Sequence, residues 1–478
     1  MSIDDAVMLA IGSNLEYQIA ELQTDIAEFD MLGSWGAFDW VFDASAGLTD
    51  NEFATGPNPN FGLDAGRVTD FEVEPSLGID FTKPMTTGGS FVMHFDTVIG
   101  ADSRTTNLDT GMITPNTGLT TDTLRLSYVQ PLRRGAWSGY ATSTQREADV
   151  SFRKQIEVRR AARQKLLLDV YNAYWDLVSA MAQLGVAESS LDLGREQLEQ
   201  NQRRLDAGVG TAVDVLQAQA EVASRLETKL QRENEVEEAM DVLKALLFGG
   251  PEVELWDTRI DPTSQLPEGE LSIEWLEDWS AVLTVALEER SDLRQQRLEV
   301  DVARLRHGRT MSERLAGVEL DLSATSRNVD TSNSDAFTDA LGFEFPAYSA
   351  TIRYNMPIGN RTADNAERAA RAGVRSAQLT YDQMEIVALA DVRSAVRGVR
   401  YQVEAVRAAV QSLELARRQL EAEEARYEAD LSTTFQVLEF QQSLVEALSS
   451  ERLARAEYVK ARIALENARG TLENRESH

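Results

Sequence analysis

The chain has 478 residues, no cysteine and a formal charge of −31. That charge has the wrong sign for neutralising phosphate or for docking on an anionic lipid surface, so no nucleic-acid partner is expected. Without cysteine there is no thiol catalysis, thiolate metal site or disulfide in this sequence. The three histidines, His94, His307 and His478, are scattered and match no metal-binding spacing, so no cofactor is expected.

The opening MSIDDAVML has neither the basic start nor the apolar core of a secretory signal. The protein is therefore either cytosolic or given as a mature form. The most apolar window, VYNAYWDLVSAMAQLGVA at 170–187, is interrupted by Asp176 and is not a membrane-spanning helix. Any crossing would fall to strands.

Period-two alternation marks the first such strands. Phe38, Trp40 and Phe42 alternate with Asp39 and Asp43. Phe71, Val73, Leu77, Ile79 and Phe81 oppose Glu72, Glu74 and Asp80, while Phe91, Met93, Phe95 and Ile99 oppose His94 and Asp96. Leu124, Leu126 and Tyr128 alternate with Arg125 and Ser127. Residues 101–119, rich in Asp, Asn, Thr and Gly, read as a loop.

Residues 140–206 are rich in Ala, Leu, Glu, Arg and Gln and lack proline, which is strong helix composition. At about 1.5 Å per residue such a helix runs roughly 100 Å, the regime of coiled-coil packing. Ala207-Gly208-Val209-Gly210 is a turn, because glycine tolerates the left-handed backbone that ends a helix, and Thr211 can cap a second helix over 212–248. The pattern then repeats. Val318, Leu320, Leu322 and Ala324, and later Tyr348, Ala350, Ile352, Tyr354 and Met356, alternate with polar residues around a loop at 328–342. A long helix over 361–429 follows. Ala429, Asp430, Leu431, Ser432 and Thr433 then make a second turn, with Asp430 at the position of Gly208, before a helix over 433–469.

The phrase RLDAGVGTAVDVLQAQ at 204–219 returns as RYEADLSTTFQVLEFQ at 426–441. LRLSYVQPLRRG at 124–135 and IRYNMPIGNR at 352–361 each end a strand at a proline before a long helix. Pro131 and Pro357 stand at nearly the same offset as the two phrases. The chain is a tandem duplication of strands plus a helical hairpin. A soluble coiled-coil scaffold with a β-sandwich head is the competing reading, but helices of this length do not fit a compact sandwich domain.

These motifs, in this order and twice over, resemble the TolC-like outer-membrane efflux proteins along nearly the whole chain. SIDDAVMLAIGSNLEYQIAELQ at the start and WSAVLTVALEERSDLRQQRLEV at 279–300 look like the family's paired first helices, and GAFDW at 36–40 and TTGG at 86–89 look like a subgroup with a longer first half. The resemblance implies a mainly α fold with a β-barrel portion: a homotrimer whose strands share one transmembrane β-barrel, usually of twelve strands, and whose helices share a periplasmic α-helical barrel. It also implies a passive exit duct of a tripartite efflux pump or type I secretion system, not an enzyme. Its partners would be outer-membrane lipid, a periplasmic adaptor (membrane fusion protein), and an inner-membrane pump or ABC transporter.

On that basis the chain divides into a first periplasmic helix (1–34), outer-membrane strands (35–132) and a helical hairpin (133–250). A linker (251–278), a second-repeat helix (279–315), second strands (316–358) and a second hairpin with the C-terminal tail (359–478) complete it. The offset from Ala10 to Ala286 exceeds that from Pro131 to Pro357, so the first half carries about 50 extra residues among its strands, about one hairpin more than the family pattern. That hairpin, near 71–99, either joins the wall, making roughly eighteen strands, or folds outside it or into its mouth. The family's tip pattern places Gln436 and Glu439 at the constricted entrance, where Glu439 keeps the acid, and makes Asp214 a partner for a basic residue of the neighbouring hairpin. The turns Ala207–Thr211 and Ala429–Thr433 are the expected adaptor-docking surface.

Overall fold

In the computed structural model, residues 1–55, 68–99, 103–107, 111, 113–116, 119–273, 276, 278–429 and 431–473 are described. Helices α1 (Ile3–Ser13) and α2 (Leu15–Ser34) lead into strands β1 (Val41–Thr55), β2 (Val68–Pro84), β3 (Ser90–Val98), β4 (Ser103–Asn107), β5 (Ile113–Asn116) and β6 (Thr120–Pro131). A short α3 (Trp137–Ala141) precedes α4 (Ser143–Asp206) and α5 (Ala212–Leu247). After α6 (Val253–Trp256) come α7 (Trp279–Glu289), α8 (Ser291–Glu313), β7 (Gly317–Asp330), α9 (Asn333–Gly342), β8 (Pro346–Asn355), α10 (Arg361–Glu428) and α11 (Thr434–Arg469). No helix among the described residues is long and apolar enough to cross a membrane.

The chain forms two compact units. The helical unit comprises Met1–Ile26, Arg153–Leu298 and Gln378–His478. Its core joins Leu167, Val170, Tyr174 and Leu177 of α4 with Met240, Leu243 and Leu247 of α5, Val392 and Val399 of α10, and Ile463 of α11. Burying such side chains is worth about 1.5–3 kcal/mol each, which holds together helices whose composition is otherwise charged. The Tyr174 hydroxyl donates to the Met1 carbonyl oxygen at 3.1 Å, tying the chain start into this core.

The paired first helices are each broken in two. Asn14 separates α1 from α2 and Arg290 separates α7 from α8, with almost the same backbone at both breaks (φ −65, ψ 122 and φ −61, ψ 123). The two breaks are related by the same offset that relates Ala10 to Ala286. A glycine backs each one. A Cβ on Gly249 would collide with the Ser13 carbonyl oxygen, and a Cβ on Gly470 would lie 2.9 Å from the Arg290 nitrogen. The duplication therefore extends to the breaks, which the single-helix expectation missed.

The sheet unit comprises Ala27–Phe152 and Glu299–Ala377. All eight strands described belong to one antiparallel sheet, with the path β1–β2–β3–β6–β7–β8 and with β4 and β5 added on the outer half of β2. There is no second sheet among the described residues, so the β-sandwich alternative fails. The hairpin near 71–99 lies between β1 and β6 and pairs along its length with both neighbours. Two expected loops contain regular elements: β4 and β5 lie within 101–119, and the end of β7 and α9 lie within 328–342. Helix α9 lies on β6 and β7 with Ala336 and Ala340 fully buried and Phe337 edge-on to Phe95 at 5.4 Å.

Candidate functional site: two sheet faces and two helical tips

Register fixes which residues share a sheet face. At one level Phe42, Phe81, Met93, Leu126, Ala324 and Tyr348 stand opposite one another across six strands. One residue along, Asp43, Asp80, His94, Arg125, Thr325 and Ala347 do the same on the other face. A two-faced antiparallel sheet alternates in this way, one side oily and one side wet. The polar face is internally paired. His94 Nδ1 lies 2.7 Å from Asp80 Oδ1, and Arg353 donates to Asp321 at 2.9 Å. On the apolar face Phe42, Tyr348, Ile352 and Tyr354 are more than half exposed, although they are large hydrocarbon side chains.

The first tip ends α4 with two bonds to one carbonyl. Val209 and Gly210 both donate their N–H to the Arg204 oxygen, at 3.0 and 2.9 Å. Gly208 takes φ +76, the left-handed backbone that closes the turn. A side chain on Gly210 would press within 3.0 Å of the Leu205 nitrogen. The second tip repeats the bond at the same spacing, Leu431 N–H donating to the Arg426 oxygen at 2.8 Å. Asp430 lies outside the described residues. Ala429 N–H donates to the Ala425 oxygen at 3.3 Å, as Ala207 N–H does to the Arg203 oxygen at 3.0 Å.

Both caps match the reading from sequence. Thr211 and Thr433 begin α5 and α11 with φ −111, ψ 153 and φ −113, ψ 155, and each hydroxyl accepts the N–H three residues on. Beyond the caps the tips diverge. Asp214 closes a capping box: its Oδ2 accepts from the Thr211 N–H at 3.0 Å and from the Thr211 hydroxyl at 2.6 Å. Gln436, the equivalent residue, instead accepts from Ser432 Oγ at 3.0 Å, and Ser432 also bonds the buried Glu423. Glu439 is exposed, and no side chain among the described residues pairs with its carboxylate. Among the described residues no basic side chain reaches Asp214, whose Oδ1 stays open.

Sequence reasoning missed the links between hairpins. The Tyr427 hydroxyl donates to Asn201 Oδ1 at 2.9 Å, joining α10 to α4, and Arg204 lies over the Tyr427 ring at 5.1 Å. Arg225, only 4 % exposed, donates to Glu221, to the Ser190 carbonyl oxygen and to Gln441 Oε1 at 2.7, 2.8 and 3.2 Å. Exposed apolar pairs also recur at the spacing of the tip phrases, Val209 with Leu431 and Val213 with Phe435, each at least 60 % exposed. Val213 and Phe435 carry no local signal that separates them from ordinary helix positions. Partial desolvation pushes the carboxyl of the largely exposed Glu424 up, and Glu428 and Glu421 push it further in the same direction.

A sheet with one hydrocarbon face and one charged face, in a chain of paired long hairpins, defines a β-barrel membrane protein with helical extensions. The profile of the outer membrane efflux protein family matches residues 100–249 and 282–471. The sequence is similar to outer membrane protein TolC of Vibrio cholerae, 25% identical over 350 residues that cover 71% of this chain and 74% of that one. It is also similar to alkaline protease secretion protein AprF of Pseudomonas aeruginosa, 26% identical over 271 residues covering 50% and 54%. The fold superposes on the outer-membrane channel OprN with a TM-score of 0.70 and 17% identity, covering 98% of this chain and 90% of that one. The chain belongs to the outer membrane efflux protein family: it is an outer-membrane channel, in a family of channel proteins and not of enzymes.

Proposed function

We propose that three copies assemble into one duct, with the apolar sheet faces toward lipid, the charged faces toward water, and the hairpin tips forming a closable periplasmic entrance. Glu439 is the gating residue. The supporting observation is the contrast between the tips, since Asp214 is held in its own capping box while the Glu439 carboxylate is left unpaired among the described residues. Three such carboxylates around a three-fold axis repel one another and attract cations. Gln436 beside them adds polar lining without charge. Asp214 Oδ1 remains available to a basic residue of a neighbouring hairpin.

The turns Ala207–Thr211 and Ala429–Thr433, with the exposed Val209, Val213, Leu431 and Phe435, form the docking surface for a periplasmic adaptor. Exposed apolar groups at a polar tip are what a partner covers. An inner-membrane pump or ABC transporter supplies the energy through that adaptor, and either small molecules or proteins pass, because a passive duct does not choose cargo. Conductance in a planar bilayer tests the gate. Replacing Glu439 with Ala raises conductance or weakens cation preference, and unchanged traces in both respects reject Glu439 as the gate.

A further inference from the structure

We propose that β2 and β3 are wall strands, so that three copies close an eighteen-stranded barrel with a bore about half as wide again as a twelve-stranded one, since barrel diameter grows roughly linearly with strand number. The proposal rests on the trimeric duct reading and adds the width of its membrane section.

The first support is pairing. The β2–β3 hairpin interrupts any contact between β1 and β6, bonding β1 from Thr82 to Val68 on one side and β6 from Ser90 to Val98 on the other. A hairpin folded into the mouth or outside the wall would leave β1 and β6 to pair with each other. The second support is the faces. Leu77, Ile79 and Phe81 of β2 and Met93 and Phe95 of β3 continue the apolar face of β1 and β6, while Asp80, His94 and Asp96 continue the polar one. A plug bathed in water on both sides has no use for an unbroken oily face.

The third support is the turn at 85–89. The Thr87 carbonyl oxygen accepts from the Trp137 N–H at 2.9 Å and from Gln130 Nε2 at 3.2 Å, fastening the turn to the junction that follows β6. Gly88 has φ +87, and a Cβ there would strike the Gly135 carbonyl oxygen; a Cβ on Gly89 would lie 2.7 Å from Gln130 Oε1. The glycines of the TTGG phrase are what allow the hairpin to sit this close to the wall end. Among the described strands β1 and β8 end the six-strand path, and six alternating strands bring these ends together antiparallel in neighbouring copies. Every residue of β8 is exposed in the single chain.

Pulsed electron–electron distance measurement between nitroxides on T325C decides the width, because the chain has no native cysteine. Strands about 4.8 Å apart and tilted by about 40° give sites roughly 31 Å apart for eighteen strands and roughly 21 Å for twelve. A linker pointing into the bore shortens both alike, leaving a difference of about 10 Å. The expected result is the longer distance, with a 68–98 deletion of the hairpin contracting it by that difference. The twelve-strand distance in the intact chain overturns the eighteen-strand wall and leaves the trimer standing. No dipolar coupling overturns the trimer and this proposal with it. F81C and T82C read the hairpin even where the deletion does not fold: lipid-borne quenchers reach a probe on F81C, and a water-soluble thiol reagent reaches T82C. Water-soluble labelling of both places the hairpin outside the wall and overturns the proposal.

Discussion

The two hairpin tips share a backbone and exchange an acid. Thr211 and Thr433 cap with nearly identical dihedrals, and the Arg204 and Arg426 carbonyls take the same turn bond. Where the first tip has Asp214 and Gln217, the second has Gln436 and Glu439 at the same spacing. Three residues into the helix an acid completes the cap and meets the positive helix end, so it is spent on structure. Six residues in, it is beyond the reach of the cap and free for a partner. Duplication kept the scaffold and moved the charge, and that move separates a stabilising carboxylate from a proposed gating one.

The largest expected effect lies where equivalent buried positions hold a charge in one repeat and a methyl group in the other. Arg225 is a buried guanidinium, and Ala447 stands at the equivalent position of the second repeat. R225A strands the Ser190 carbonyl and Gln441 and lowers stability by about 2–4 kcal/mol, read as a drop in the thermal unfolding midpoint in detergent. Next come the caps. T211A and T433A each cost about 1 kcal/mol, with T211A the larger because it also releases Asp214. Equal losses break the contrast between a reciprocal cap and a one-way one.

The acids themselves give a smaller, sharper comparison. D214N lowers stability by about 0.5–1 kcal/mol through the cap and the helix end, whereas E439Q stays within about 0.5 kcal/mol of the parent and changes conductance or ion selectivity instead. The smallest effect is that of pH on the second hairpin. The Glu424 carboxyl is raised in the folded chain by partial desolvation and by its neighbours Glu428 and Glu421. Its protonated form is favoured there, so its stabilising contribution is present below the ordinary carboxylate range and is lost as pH rises through the raised value. Amide exchange around 420–428 is therefore slower in mild acid than at neutral pH after correction for intrinsic rates. Faster exchange in acid contradicts this.

Much of the architecture was legible because it is periodic. Five alternating runs fall in β2, β3, β6, β7 and β8, whereas the run at 38–43 only reaches the start of β1 at Val41, because Trp35–Phe38 form a 3-10 turn; the long helices fell within a few residues of 140–206 and 361–429. Strands β4 and β5 were not legible, since SRTTN and ITPN alternate nothing and pair only with the outer half of β2 and with each other. Helix α9 carried a local signal, Ala336 and Ala340 one turn apart on the face that meets the sheet, hidden in a segment rich in Asp, Asn and Ser. The tip turns and caps were readable from Gly208, Thr211 and Thr433 because turn chemistry is local. Links such as Tyr427 to Asn201, far apart in the chain, have no local signature and emerge only from packing.

The account depends on the free edges of the sheet closing onto other copies, and cysteine cross-linking measures that most directly. Pairs drawn from Phe42, Ala44 and Ala46 on β1 and Tyr348, Ala350 and Ile352 on β8 share one face of the sheet. In a chain without native cysteine, at least one such pair is expected to oxidise into covalent dimers and trimers that stop at three copies on a non-reducing gel. Monomers alone across the whole panel, with each cysteine shown to be reactive, would contradict a shared barrel.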